Sequence, residues 1–153
     1  LSLLILIPAV PSVAESPLSV AYPVLSTSLT SSFGERIHPI SGSRSHHNGV
    51  DIAGKLGERV FSVFFGQVVF TGACPGFGKT VVILHKNGLT THYAHLSAIE
   101  TATGAILRPG DLIGRLGRSG DTTGAHLHFE VRRFGNPLDP SLLLPALGEN
   151  PAG

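Results

Sequence analysis

Gly124-Ala125-His126-Leu127-His128-Phe129-Glu130-Val131 is the stretch around which the chain is arranged. Its residues alternate in character. In an extended strand the side chains of i, i+2 and i+4 share one face. One face therefore carries His126, His128 and Glu130, and the other carries Leu127, Phe129 and Val131. The apolar face suits a core. The polar face offers two imidazoles and a carboxylate, and imidazole is both the commonest metal ligand and an acid or base near neutral pH.

Two further stretches carry the same chemistry: His47-Asn48-Gly49-Val50-Asp51 and Thr91-His92-Tyr93-Ala94-His95-Leu96. Most of the chain's eight His fall in these three places. A metal site in a β protein draws ligands from distant strands, so widely separated clusters are expected.

Composition narrows the class. A chain of 153 residues is large enough for one domain with a single core. Charged residues make up 14%, against about 25% in typical domains, and the net charge is +1. No basic stripe is present, which argues against nucleic acid as a partner. The 19 Gly and 11 Pro, with many Val, Ile, Phe and Thr, suggest strands joined by tight turns. Cys74 is the only cysteine, so no internal disulfide forms; it is read as a free or packed thiol.

Leu1 to Val10 is apolar and Ser12-Val13-Ala14 is a small-x-small site, as in the apolar region and cleavage site of a secretory signal. No Met and no basic segment precede the run, so residues 1–14 are expected to be a truncated signal. A truncated membrane anchor is the alternative, because the run falls short of the roughly 20 residues that span a bilayer. Export follows as an expectation: a periplasmic, cell-wall or extracellular location, with no lipid partner beyond a lost anchor. Residues 15–24 read as a linker or an arm laid on the domain, 25–145 as the domain, and 146–153 as a loose tail.

Within the domain, Arg59 to Phe65 and Gln67 to Thr71 are β-rich runs separated by Gly66. Thr80 to His85 and Leu89 to Leu96 flank Lys86-Asn87-Gly88, and Asn-Gly between two such runs predicts a hairpin. Arg108-Pro109-Gly110-Asp111 predicts a type II turn, followed by a strand over Asp111 to Leu116. Asp139-Pro140 predicts a short helix over Ser141 to Leu144, with Asp139 as N-cap. No long amphipathic helix is evident. The class is mainly β, built as a compact antiparallel domain.

Zinc takes four tetrahedral positions, and a catalytic site keeps one of them open. His47 and Asp51 offer two ligands four residues apart, with Gly49 between them to let the backbone bend. His128 offers the third. His46 competes with His47, and only one of two neighbours can point inward. Gly72 to Thr80 ends like a phosphate loop, but its first Gly is a residue early and a strand follows. Gly117-Arg118-Ser119-Gly120 lacks the second Gly of a nucleophile elbow, since Asp121 stands there.

The three motifs, in this order, resemble the lysostaphin-type (LytM-like) zinc endopeptidases of bacterial cell walls. Ser32-Phe33-Gly34-Glu35-Arg36-Ile37-His38-Pro39 resembles the family's opening motif, and Gly76-Phe77-Gly78 its Gly-aromatic-Gly turn, though Lys79 stands where Asn is usual. Asn136-Pro137-Leu138-Asp139-Pro140 resembles its closing motif. The likeness covers roughly Leu25 to Leu144.

The resemblance implies the lysostaphin-like (duplicated-hybrid-motif) fold with the site in a groove. It implies one Zn2+ held by His47, Asp51 and His128, and a non-ligand catalytic pair, His95 and His126. The implied activity is hydrolysis of peptide bonds in peptidoglycan stems or cross-links by a secreted zinc metalloendopeptidase, expected to be a monomer. The rival is a non-catalytic member of the fold that binds and activates another wall hydrolase. Glu130 is a candidate to orient a ligand, Tyr93 to donate to the oxyanion, and Arg36 to hold a substrate carboxylate or close an ion pair. His38, His46, His85 and His92 are read as structural or rim residues. His92 precedes His95 by three, so on a regular strand the two face opposite ways.

Overall fold

A computed structural model describes residues 19–38 and 40–148. The signal-like segment over residues 1–14 and the last five residues of the tail lie outside the described residues. Thirteen strands follow in order among the described residues. They are β1 (Leu29–Ser31), β2 (Gly34–Ile37), β3 (Arg44–His47), β4 (Val50–Ala53), β5 (Arg59–Phe61), β6 (Gly66–Cys74) and β7 (Gly78–Leu84). Then come β8 (Leu89–Leu96), β9 (Ala98–Ile99), β10 (Ile106–Leu107), β11 (Leu112–Arg115), β12 (His126–Arg133) and β13 (Asn136–Leu138). Every pairing between them is antiparallel. The described helices are three single 3-10 turns. The mainly β antiparallel class expected above is the one observed.

The main sheet runs β1-β4-β12-β8-β7-β6-β10, with β13 on the far end of β12. Its alternation splits polar from apolar as the β12 sequence dictates. Val50 and Ile52, Leu127, Phe129 and Val131, Tyr93, and Val81 and Ile83 are all buried on one side. Sealing each large apolar side chain from water contributes about 1.5–3 kcal/mol. The smaller sheet β5-β11-β9 adds Val60 and Ile113 to the same core cluster. The other face of the main sheet carries Asp51, His126, His128, Glu130 and His92. The hairpin β2–β3 stands apart as a two-stranded sheet.

Turn chemistry follows the sequence. Asn87 and Gly88 both take positive φ, 60° and 71°, at the β7–β8 hairpin. Gly110 has φ 87° and the Asp111 N–H closes on the Arg108 carbonyl at 3.0 Å, as a type II turn requires. The Asp139 carboxylate caps the Ser141 N–H at 2.9 Å, but the helix is a 3-10 turn over Pro140–Leu142 and stops there.

Several boundaries differ from the sequence reading. The first β-rich run ends at Phe61, because the Val63 N–H turns away from a strand partner and donates to the Tyr93 hydroxyl at 3.0 Å. Gly66 opens β6 instead of separating two runs. The core also extends past both proposed ends of the domain. Val24 is 1% exposed, within the segment read as linker or arm, and the Pro23 carbonyl accepts from Phe61. Val24 therefore packs into the core ahead of Leu25. At the other end Leu147 is 1% exposed beside Leu144, so the core reaches past residue 145.

Candidate metal and catalytic site

Register brings the first and third motifs together. On adjacent strands β4 and β12, Asp51 lies directly opposite His128. Gly49 allows this approach by having no side chain: a Cβ there would stand 2.3 Å from the Phe129 carbonyl oxygen. Its role is close packing of two backbones, not the bend expected from sequence. His47, at the end of β3, reaches over the same spot, and its Nδ1–H donates to the Ser32 carbonyl at 2.9 Å. That bond fixes the tautomer and leaves Nε2 with its lone pair directed inward. His46 turns away and packs edge-on against Phe33, with ring centroids 5.0 Å apart.

Three ligand-type atoms now face one point. His47 Nε2 is 3.2 Å from His128 Nδ1 and 3.4 Å from Asp51 Oδ1, and His128 Nδ1 is 2.8 Å from Asp51 Oδ1. Bonds of about 2.0–2.2 Å to a tetrahedral zinc imply edges of about 3.3–3.6 Å between ligand atoms. The two edges to His47, 3.2 and 3.4 Å, lie close to such an edge set. The edge between Asp51 and His128, 2.8 Å, is the length of their direct hydrogen bond and need open by only about 0.5 Å, so the donor set fits a small divalent cation. Burial alone would raise the Asp51 carboxyl; its bonds to His128 and His47 outweigh that and hold it well below the usual carboxylate range. Burial would likewise lower His128, but the Asp51 and Glu130 carboxylates on either side push it up to about 9.

The second motif arrives by an irregularity. Between Tyr93 and Leu96, β8 has one more residue than the facing stretch of β7. His95 sits in this bulge with φ 59°. Bulges re-aim side chains in this way. The His95 ring lands 4.9 Å from that of His126 and 5.9 Å from that of His128. Its Nδ1–H donates to the Ser119 carbonyl at 2.7 Å, which leaves Nε2 free. His126 is anchored similarly, with Nδ1 3.0 Å from the Gly124 carbonyl, and its Nε2 lies 3.6 Å from Asp51 Oδ1. His95 is held below its ordinary pKa, chiefly by burial.

These five residues line one open cavity of about 670 Å3, bordered by Phe77, Asp121 and Thr122. None of the three belongs to a ligand-type motif in the sequence, and Phe77 alone stands in a motif, the Gly76-Phe77-Gly78 turn. The turn packs on the Ser119–Gly120 loop: a Cβ on Gly78 would stand 2.4 Å from the Ser119 carbonyl carbon. The same turn accepts the His95 N–H at the Phe77 carbonyl, 2.8 Å away.

The three secondary candidates separate. Glu130 is 1% exposed and accepts from His128 Nε2 at 2.8 Å. Arg36 lies beside the site, with Nη2 3.9 Å from Asp51 Oδ2 and a hydrogen bond to the Ser31 hydroxyl. Its contact is the ion pair, the second of the two roles considered. Tyr93 does not reach the site. It is wholly buried on the core face, where its hydroxyl accepts from Val63 N–H and lies 2.9 Å from Thr91 Oγ1. Burial pushes its hydroxyl up to about 12. The expectation that Tyr93 donates to an oxyanion is overturned: strand alternation sends it to the opposite side of the sheet.

The sequence pattern of Peptidase family M23 matches residues 45–140. The chain belongs to this family. It is 43% identical over 124 residues to the DD-carboxypeptidase/endopeptidase Mpg of Neisseria meningitidis, covering 80% of this chain and 29% of that protein. Among solved structures it resembles a zinc-containing peptidase from Vibrio cholerae, with a TM-score of 0.75 and 34% identity over 86% of this chain and 40% of the other. It also resembles the catalytic domain of lysostaphin from Staphylococcus simulans, with a TM-score of 0.66 and 27% identity, covering 79% of this chain and 92% of that domain. The family resemblance read from the three motifs and the lysostaphin-like fold are thus both observed. The chain spans less than a third of the length of Mpg.

Proposed function

We propose that this M23 domain is a zinc endopeptidase that hydrolyses peptide bonds of peptidoglycan in an exported, cell-envelope setting. The observation that carries this reading is the triangle of His47 Nε2, Asp51 Oδ1 and His128 Nδ1 with two further imidazoles beside it. His47, Asp51 and His128 would hold the metal. When bound, zinc supplies Lewis acidity toward the scissile carbonyl and the attacking water. His95 and His126 are each anchored through Nδ1 to a backbone carbonyl, so each presents Nε2 for proton transfer. Between them they carry a proton from the water to the leaving amine and donate to the developing oxyanion. Neither needs to move, because the carbonyls of Ser119 and Gly124 already fix the rings. Phe77 and Thr122 border the cavity that would take the peptide. The signal-like residues 1–14 agree with export.

Digestion of purified peptidoglycan tests the reading. New amino groups are expected, with reducing sugar ends unchanged. A strong chelator should abolish release and limited zinc should restore it. New reducing ends without amines, or cleavage indifferent to chelation, would sink it. Zinc binding without any cleavage would favour the activator instead.

A further inference from the structure

The open face of β12 does not end at the proposed ligand. His126, His128, Glu130 and Arg132 follow one another at strand spacing on the same side. Glu130 is 1% exposed, and a carboxylate so buried requires donors to compensate its charge. It has them from both neighbours, divided between its oxygens. Oε2 accepts from Arg132 Nε at 2.6 Å and from Nη2 at 2.5 Å. Oε1 is thereby left to accept from His128 Nε2 at 2.8 Å. The far side of the same imidazole, Nδ1, faces Asp51 and His47.

We infer that Arg132 is a positioning residue for the metal site: by clamping Glu130 it fixes His128 as the Nε2–H tautomer and so commits Nδ1 to the cation. The inference rests on the metal reading proposed above. The guanidinium grips one carboxylate oxygen through two donors, which sets the rotation of the carboxylate and aims Oε1 along the strand. An imidazole whose second nitrogen donates to a fixed acceptor has one orientation and one tautomer. A lysine at this position would supply charge but not the two-donor grip. Arg132 lies two residues beyond Glu130 and is not among the residues lining the cavity that holds His47, Asp51, His95 and His126. It lines a smaller neighbouring cavity with Glu130 and His128, and its hydrogen bonds to the Glu130 carboxylate are what tie it to the site.

The test is zinc affinity of the purified, metal-stripped protein, read by competition with a chromophoric chelator. Arg132→Met should weaken zinc binding by about 10–100-fold, the usual effect of losing an outer partner of a metal-binding His. Arg132→Lys should recover part of that loss. Thermal melts of the stripped variants check that they are folded. An independent measurement needs no variant: nitrogen NMR of the zinc-loaded wild type should show His128 bound through Nδ1 with a proton on Nε2. Wild-type affinity in a folded Arg132→Met protein, or His128 bound through Nε2, would overturn the inference while leaving the zinc site standing. A wild type that binds no zinc would instead overturn the metal reading itself.

Discussion

The imidazoles of His95 and His126 meet edge to face with ring centroids 4.9 Å apart, and the contact exists because His95 leaves the pattern of its own strand. Thr91 and Tyr93 are buried on the core side. Regular alternation would send His95 after them. The extra residue in β8 reverses the parity, so His95 turns to the open face and Leu96 returns to the core. Positive φ in a side-chain-bearing residue costs on the order of 1–2 kcal/mol. Here two hydrogen bonds hold it, from the His95 backbone to Phe77 and from its ring to Ser119.

On the proposed reading, this arrangement would separate metal binding from proton transfer. His95→Ala and His126→Ala should each retain zinc and lose activity by about 10²–10⁴-fold, the range for a general acid or base. Metal analysis and turnover on the same preparations check both halves. Near-normal turnover in both variants would show that the pair has no such role, and loss of zinc would make one of them a ligand.

Tyr93 supplies a prediction of the opposite kind. Its hydroxyl is the acceptor for a buried Val63 N–H, so Tyr93→Phe leaves that donor unpaired while keeping the ring against Phe129, 5.3 Å away. A loss of about 1–3 kcal/mol of stability is expected, with the turnover of the folded fraction unchanged. Urea unfolding together with a turnover assay decides between this core role and participation in the site. A variant of normal stability and greatly reduced turnover would restore Tyr93 to the chemistry.

Parts of this architecture were legible because they depend on short-range rules. The period of two in β12 put His126, His128 and Glu130 on one face before any partner strand was known. The same period, carried one step further, reaches Arg132. Asn87-Gly88 marked its hairpin because both positions need φ above zero. What could not be read depends on the neighbouring strand. The bulge at His95 is defined only by counting against β7, so the expectation that His92 and His95 face opposite ways rested on a regularity the sheet does not keep. The anchors of the His95 and His126 imidazoles are backbone carbonyls, those of Ser119 and Gly124, and a carbonyl leaves no mark in a sequence. Val24 and Leu147 lie in stretches whose composition looks like linker, and each enters the core through a contact too short to set a period, Val24 beside Tyr22 and Leu147 beside Leu144.

The last prediction concerns pH and a group remote from the proposed metal site. His85 donates through Nδ1 to the Phe65 carbonyl at 2.7 Å, and its Nε2 lies 2.8 Å from Thr91 Oγ1, which continues to Tyr93. Burial lowers its pKa below the ordinary 6.5, against a smaller opposing effect of the Phe65 carbonyl. The ring is therefore neutral in the fold. On acidification the unfolded chain takes up a proton at this position first. The stability contributed by neutral His85 is thus complete above about pH 6.5 and is lost as pH falls toward the folded-state value. His85→Gln can still donate to the Phe65 carbonyl and does not titrate. Urea unfolding at a series of values between about pH 8 and pH 5 should therefore give a steeper decline for the wild type than for this variant. His92 and His95, also held low, are present in both proteins and cancel in the difference. Parallel declines would mean that His85 keeps an unfolded-like pKa in the fold, and that the buried line from Phe65 to Tyr93 does not depend on its being neutral.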